Sequence, residues 1–585
     1  MTLDEPDRLA ALFLKSARRT PERVAVRDAH GSWDYAATAA AVTELAGRLA
    51  AAGVEPGDRV GVMGARRAGA PVAILAVLWC GATYVPIDPA WPAARCAAVL
   101  HGAGARMVLA VDTARETPAN VPRLDLTTPE LMSAGSTGPS EPVPAGSAGP
   151  SEPLSRPQPG AAYVIFTSGS TGTPKGVEVR SAAAAGLVES VVSLIGMGRE
   201  SSFVALSSFA FDVSVFEIFA PWSVGGELVI ATELQVLSNQ LGALLVVPGR
   251  EVYVQTTPTV LEHLVQARLE LPAGTVLLLA GEHLRRALVA RVAHVRQVWN
   301  LYGPTEATIY TTAHACLPLD ADETEPDLPI GSAVARAVLE IRPLSESGQD
   351  IGELLVSGPG LALGYVGRPD LTAERFGADG KRYATGDVVR RRADGPLVHA
   401  GRIDRQVKIR GNRVELDEVE DALVALLGHR RVAVRMDTHR LIGPHLAAFV
   451  AGPERDVAEL RRQVAGRLPA YMVPARVYWV PEIPRTSSGK TDHSALRAPE
   501  STWNWDDAVF ETLSTLWERH LGAPAAPDAN FYALDGNRRA AEQIAAGLRR
   551  THGTEVDAAV IERYPLLCDL AAVVSDPLAR IDAER

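Results

Sequence analysis

Short apolar runs alternate with stretches of helical period over the first 160 residues, and this alternation restricts the fold more than any other feature of the sequence. RVGVM, TYVPID and RMVLAVD read as buried strands bounded by Gly, Pro or Asp. ALFLKSARR and YAATAAAVTELAGRLAAAG instead carry apolar residues at the spacing of a helix face. A chain that interleaves the two crosses from strand to strand through helices, which predicts an α/β architecture with much parallel sheet. The alternation resumes from Tyr163 to about His399. A further unit is expected from near Gly401 to about Leu496, and a short helical one from Trp503 to Pro577. With 585 residues the chain is too long for a single core, so three or four folding units fit its length. Between them, residues 133–159 repeat AGSTGPSEP as AGSAGPSEP, which reads as a disordered Pro/Gly/Ser insertion and not as a solenoid repeat.

Composition removes several classes of function. Apolar content of 47% and charged content of 22% describe an ordinary globular protein. A formal charge of −11 argues against a nucleic acid or an anionic membrane as the main partner. Cys80, Cys96, Cys316 and Cys568 lie far apart without metal-ligand spacing, which suits thiols in a reducing compartment. MTLDEPDR lacks the apolar core of a signal peptide, and APVAILAVLWCGATYVP is too short and too punctuated to span a bilayer. A cytoplasmic location is expected.

Residues 167–176 read TSGSTGTPKG. The mononucleotide P-loop needs lysine after its last glycine, but here Lys175 precedes Gly176, and the glycine spacing also fails the dinucleotide pattern. What remains is a run of small residues whose N–H groups and hydroxyls can wrap a polyphosphate, with one lysine as a point charge. A flexible surface loop is the bland alternative. The flanking apolar runs AAYVIF and VEV favour a hairpin tip that closes over a ligand. In FAFDVSVFEIF, Asp212 sits inside an apolar run, either as a helix N-cap or as a carboxylate awaiting a cation. NLYGPTEATIY offers the flat ring of Tyr302 and a Thr305–Glu306 pair suited to hydrated Mg²⁺. YATGD ends in Asp387, an acceptor for vicinal hydroxyls, and PRTSSGKTD presents Lys490. Singly each is an ordinary turn or cap; their joint order is the signal.

In that order the motifs resemble the adenylation domain of nonribosomal peptide synthetases, within the acyl-adenylate-forming superfamily. The resemblance spans residues 9–500 and rests also on GELLVSGPGLALGY, GRIDRQVKIRGNRVELDEVE and LPAYMVP. Leu363, where arginine is usual, and Ser488, where asparagine is common, are departures outside the groups assigned to chemistry. The resemblance implies a large multi-sheet domain (1–403), then a smaller mobile α+β subdomain (404–500) hinged at Asp404. It also implies two half-reactions: Mg·ATP and an amino acid give aminoacyl-AMP and pyrophosphate, then the acyl group is transferred. By motif position, Thr167, Ser168, Gly169, Ser170, Thr171, Gly172 and Lys175 cradle the β- and γ-phosphates, and Gly303 belongs to the nucleotide site. Glu306 holds Mg²⁺, Thr305 contacts the α-phosphate, and Lys490 bridges carboxylate and phosphate. Tyr302 stacks on adenine with Asn300 at its edge, while Asp387 and Arg402 serve the ribose. Lys408 and Gly411 belong to the loop that covers the adenylate for transfer. Asp212 pairs with the substrate ammonium, and Val213, Phe216, Gln255, Leu278, Ala280, Leu301, Ile309 and Tyr310 line the side-chain pocket. These bulky neutral residues suit a small neutral amino acid such as glycine or alanine, although Gln255 could instead hydrogen-bond a polar side chain.

Residues 503–578 resemble a helical carrier domain. The phosphopantetheine-bearing serine is replaced: Leu534-Asp535-Gly536-Asn537 is followed by Arg538. No phosphopantetheine is expected on this chain. The acceptor is then a separate carrier protein or an amine, with a small accessory protein as a further candidate partner. A non-catalytic scaffold is the remaining alternative.

Overall fold

The computed structural model describes residues 8–117, 121–133, 160–169, 174–232, 241–266, 269–319, 325–344, 350–409, 411–439, 443–485, 491–493, 495–497, 506–521, 531, 538–553, 556–564 and 567–575. Apart from Ser133, which ends the helix Thr128–Ser133, the expected insertion at 133–159 lies outside them.

Two large sheets form the first unit. In the seven-stranded sheet, Arg59–Gly64, Thr83–Ile87, Met107–Val111, Arg123–Leu126 and Ala161–Thr167 run parallel, and Lys175–Arg180 and Gly364–Tyr365 complete one edge antiparallel. The nine-stranded sheet has a parallel centre of Val24–Asp28, Glu227–Ile230, Ser201–Ala205, Glu251–Thr256, Val276–Ala280 and Gln297–Tyr302, with antiparallel strands at both edges. The sequence GAPVAILAVLW explains how they join. It has no polar side, so the helix Gly69–Trp79 is buried along its length through Leu78, as a helix apolar all round must be. The long apolar stretch noted above is therefore a core helix, a turn at Cys80–Gly81 and the buried strand Thr83–Ile87. With Ser181–Ile195 and Val213–Val224, this helix connects residues of both sheets into one core. No helix among the described residues is long and apolar enough to cross a membrane.

A four-stranded antiparallel sheet, Val338–Pro343, Ile351–Ser357, Arg382–Arg391 and Leu397–Arg402, leads into the second unit. That unit has its own core, built from the hairpin Val407–Ile409/Asn412–Val414, the helices Leu416–Leu427 and Val457–Ala465, and the sheet Val432–His439, Gly443–Val450, Arg476–Trp479. It is smaller and α+β, as expected. The tail helices Asp507–Leu521, Arg538–His552, Ala558–Arg563 and Leu567–Ser575 pack around Trp517, Phe531, Ile544 and Leu570, and Ala475 of the second unit touches this cluster.

Candidate active site

The strands Ser201–Ala205, Glu251–Thr256, Val276–Ala280 and Gln297–Tyr302 are parallel, and the residues at or just past their carboxyl ends line a cavity of about 290 Å³. Open α/β sheets bind ligands at that edge. The described ends of TSGSTGTPKG belong to paired strands: Ala161–Thr167 pairs antiparallel with Lys175–Arg180, with Thr167 opposite Lys175. Thr167 and Ser168 line the cavity. Ser170, Thr171 and Gly172 lie outside the described residues, as does Lys490, so the pairing of Lys490 with the site is not described.

Asp212 lies on the cavity wall and holds the N-cap position of the helix Val213–Val224, but its side chain makes no capping bond. Burial raises its pKa, Glu306 adds to the rise, and hydrogen bonds from Thr305 and the Val213 backbone oppose it. Val213, Gln255, Ala280, Ile309 and Tyr310 line the cavity around it. The Tyr310 hydroxyl donates to the Gln255 side-chain carbonyl, so that oxygen already has a partner. Ile309 is held at φ +62 and Thr308 at φ +59, a left-handed backbone that β-branched residues seldom adopt. Thr308 Oγ1 donating to the Gly360 carbonyl (2.6 Å) and the Thr311 N–H donating to the Tyr302 carbonyl (2.7 Å) hold the turn. Gly303 lies under it: a Cβ there would stand 2.4 Å from the Ile309 carbonyl oxygen.

Gly169, Lys175 and Glu306 are not in the lining of this cavity, and neither are the expected pocket or nucleotide residues Phe216, Leu278, Asn300 and Leu301. Phe216 and Leu278 are fully buried and absent from the cavity lining; Phe216 packs edge-on behind Tyr310, ring centres 5.5 Å apart. They lie one helical turn beyond Val213 and two strand positions before Ala280. Asn300 and Leu301 line an adjoining cavity of about 480 Å³ that shares Tyr302, Asp387, Arg402 and Lys408 with the first. The Asn300 amide donates to the Pro329 carbonyl at 2.8 Å.

Asp387 is ringed by donors. Its carboxylate accepts from the Tyr302 hydroxyl at 2.6 Å, from His399 Nε2 at 3.1 Å and from Arg402. Burial alone would raise its pKa; the His399 bond and the charges of Arg402 and Lys408 outweigh that and hold it well below the usual carboxylate range. Arg402 also forks onto both oxygens of Asp404, at 2.6 and 2.7 Å, tying the expected hinge to the floor of the site. Lys408 Nζ lies 5.8 Å from the centre of the Tyr302 ring.

Glu306 is fully buried. It accepts from the Tyr365 hydroxyl at 2.7 Å and from Arg413 at 3.0 and 3.1 Å. Burial pushes its pKa up, but Arg413 and Lys175 pull harder and bring it to about 2. The charged, acceptor-only carboxylate suits a hydrated Mg²⁺, provided that Arg413 withdraws. Among the described residues no group of three or more His, Cys, Asp or Glu gathers as a metal cage, so phosphates and water would supply the remaining ligands.

Contacts from the second unit were not legible in the sequence. Arg413, Glu415 and Glu418 meet Glu306, Lys175 and Arg95, partners 107, 240 and 323 residues away. His399 and His283, edge to face at 4.5 Å, also carried no signal. Gly411 lies at φ +79 against Thr257 and lines the cavity.

Residues 13–366 match the AMP-binding enzyme family, and residues 418–490 match the AMP-binding enzyme C-terminal domain. The chain is 37% identical over 562 residues to the AMB antimetabolite synthetase AmbB of Pseudomonas aeruginosa, an alignment covering 92% of this chain and 43% of that one. It thus spans less than half the length of that relative. Among solved structures, it is similar to a holo nonribosomal peptide synthetase protein containing adenylation and PCP domains, bound to a vinylsulfonamide inhibitor: TM-score 0.70, 26% identity, 98% and 97% of the two chains. It is also similar to a four-domain nonribosomal peptide synthetase bound to AMP and glycine: TM-score 0.58, 30% identity, 97% and 43% covered. The chain therefore belongs to the AMP-binding enzyme family, as an ATP-dependent, AMP-forming ligase of the adenylation-domain type.

Proposed function

We propose that the chain activates a small neutral α-amino acid as its aminoacyl-AMP and passes it to the thiol of a separate carrier protein. A carboxylate oxygen of the amino acid attacks the α-phosphorus of ATP, the bond to the bridging oxygen of the β-phosphate breaks, and pyrophosphate leaves. Asp212 carries the proposal. A buried carboxylate costs several kcal/mol unless a cation compensates it, and among the described residues Asp212 has no ion-pair partner. A substrate ammonium completes it, with Val213, Ala280, Ile309 and Tyr310 bounding a small side chain. The glycine named with one structural relative is of that class.

In this reading Thr167, Ser168, Gly169 and Lys175, with Ser170, Thr171 and Gly172, grip the phosphates. Glu306 would hold Mg²⁺, which neutralises the phosphate charge, and Thr305 and Lys490 stabilise the reacting oxygens. Tyr302, Asn300, Gly303, Asp387 and Arg402 serve the nucleoside. The second unit (404–500) turns at Asp404 and brings Lys408 and Gly411 over the adenylate for transfer. The tail is a carrier-like bundle with Arg538 in place of the modified serine, so it takes no phosphopantetheine. That same substitution favours one second reading, direct attack of an amine on the adenylate.

ATP–pyrophosphate exchange with a panel of amino acids tests the proposal, with the highest rate expected for glycine or alanine. No exchange with any amino acid sinks it. Lys490→Ala should abolish exchange while retaining ATP binding. Incubation with phosphopantetheinyl transferase and CoA should leave the intact mass unchanged. Offering carriers and amines separately then distinguishes a thioester from a soluble amide.

A further inference from the structure

Asp387 is held by the strand that returns beside it. The strands Arg382–Arg391 and Leu397–Arg402 pair Asp387 with Arg402 and Val388 with Gly401, then step to Val389 with His399. Ala400 is the extra residue of a bulge, and Gly401, at φ +118, takes a backbone conformation that L side chains seldom adopt. Successive strand residues point to opposite faces, so an unbroken register would put His399 on the face away from Arg402. The inserted residue reverses this and brings His399 to the face of Asp387. His399 and Arg402 thus donate to the same carboxylate oxygen, Oδ1, while Oδ2 accepts from the Tyr302 hydroxyl.

The orientation of the His399 ring is fixed as well. Its Nδ1 faces the Gly401 N–H at 3.3 Å, and a backbone N–H only donates, so the ring proton sits on Nε2, the atom 3.1 Å from Asp387. Flipping the ring would forfeit both bonds. His283, just beyond the strand Val276–Ala280, packs against it edge to face with ring centres 4.5 Å apart. Burial, then the His399 ring, lowers the His283 pKa and keeps that neighbour uncharged at neutral pH. Both imidazoles line the cavity of about 480 Å³ together with Asn300, Tyr302 and Asp387, but they do not gather with Asp387 as a metal cage. Arg402 is a shared hold, since its guanidinium also grips Asp404, Gln406 and the Thr385 carbonyl. The His399 bond opposes the burial of Asp387 more than the charge of Arg402 does.

We infer that His399 is a positioning residue: backed by His283, it aims the Asp387 carboxylate at the ribose hydroxyls and thereby sets how strongly the site prefers a ribonucleotide. An aligned carboxylate accepts charged hydrogen bonds from ATP that 2′,3′-dideoxy-ATP cannot supply. Without His399 the carboxylate keeps its charge but loses its single orientation, and part of the gain from the hydroxyls is spent on ordering it. A nucleotide without those hydroxyls is indifferent to the change.

This role rests on the proposed function through the reading that Asp387 meets ribose, and the experiment separates the two. Titration calorimetry of the full chain with the Mg²⁺ complexes of ATP and 2′,3′-dideoxy-ATP reads the preference, which in the parent should be at least about tenfold for ATP. In His399→Phe, which keeps a ring without a donor, ATP affinity should fall about five- to tenfold. Dideoxy-ATP affinity should stay within about twofold of the parent, which also reports a folded site. His399→Gln, whose amide can donate to Asp387, should recover part of the preference, and His283→Ala should lose less of it than His399→Phe. In ATP–pyrophosphate exchange, KM for ATP should rise in His399→Phe with kcat near that of the parent. An unchanged preference in both His399 variants, or equal losses for the two nucleotides in both, overturns the positioning role. A parent that binds the two nucleotides equally overturns it together with the ribose assignment of Asp387. Absence of exchange in a parent that still prefers ATP overturns the proposed activation and leaves the role of His399 standing.

Discussion

Asp387, which is buried, and Asp212, which is half-buried, are carboxylates on the wall of one cavity, and the protein treats them in opposite ways. Asp387 is surrounded by Tyr302, His399, Arg402 and Lys408, which keep it ionised despite burial. Asp212 is helped by hydrogen bonds from Thr305 and Val213 and least by the charge of Lys408, with burial and Glu306 prevailing against them. A carboxylate supplied with its own cations is a scaffold that can offer hydroxyl-binding lone pairs. One left short of charge is a vacancy of a defined sign, and it selects a ligand by what the fold withholds.

The sharpest way to break this contrast is Asp212→Asn. Exchange activity with any α-amino acid should fall at least about a hundredfold, because breaking a buried pair costs roughly 3–5 kcal/mol. The ligand-free protein should be no less stable, since an uncompensated buried charge has gone; thermal unfolding checks this. A drop in melting temperature would mean that Asp212 is already paired within the protein.

Glu217 offers the next largest effect, on stability. It accepts from the Leu206 and Ser207 N–H groups at 3.2 and 3.1 Å, and from the Ser207 hydroxyl at 3.0 Å. Burial nevertheless raises its pKa to about 7 against the pull of Arg66. The folded state then binds the extra proton above pH 4.5, so stability declines as pH rises from there to about 7, by about 3 kcal/mol in all. Glu217→Gln should flatten that slope, read as melting temperature against pH. An unchanged slope would place the titration elsewhere.

Asp387→Asn tests the supplied carboxylate. Loss of charged hydrogen bonds of about 1.5–3 kcal/mol should weaken ATP binding about ten- to a hundredfold in titration calorimetry. Smallest is Gly411→Ala. Its φ of +79 costs about 1–2 kcal/mol for an L side chain, and the new Cβ would meet Thr257 Cγ2 at 2.4 Å. Transfer to the acceptor should slow while exchange persists, with partial rescue by Thr257→Ser, which deletes that methyl.

Local features of this site were legible because they are written in neighbouring residues. The hairpin at Thr167–Lys175 follows from two apolar runs flanking small residues, and Asp212 stands out as a carboxylate in an apolar run. The parallel sheets follow from alternating periodicities, though not their joining through the helix Gly69–Trp79. Depth was harder. Phe216 and Leu278 share the helix or strand of Val213 and Ala280, but only Val213 in the helix's first turn and Ala280 at the strand's carboxyl end reach the cavity. The ion pairs of Arg95, Lys175 and Glu306 with the second unit had no local signature, since charge complementarity across hundreds of residues is set by the tertiary fold alone.

The bond from the Tyr310 hydroxyl to Gln255 has a practical consequence for anyone reshaping what this chain accepts. Exchanging Gln255 for an aliphatic residue strands a phenol with nowhere to donate, and exchanging Tyr310 for phenylalanine strands an amide oxygen. Altered preference should emerge from libraries that vary the two positions together, while single-site scans at either would report damage and be misread as evidence that the pocket is intolerant.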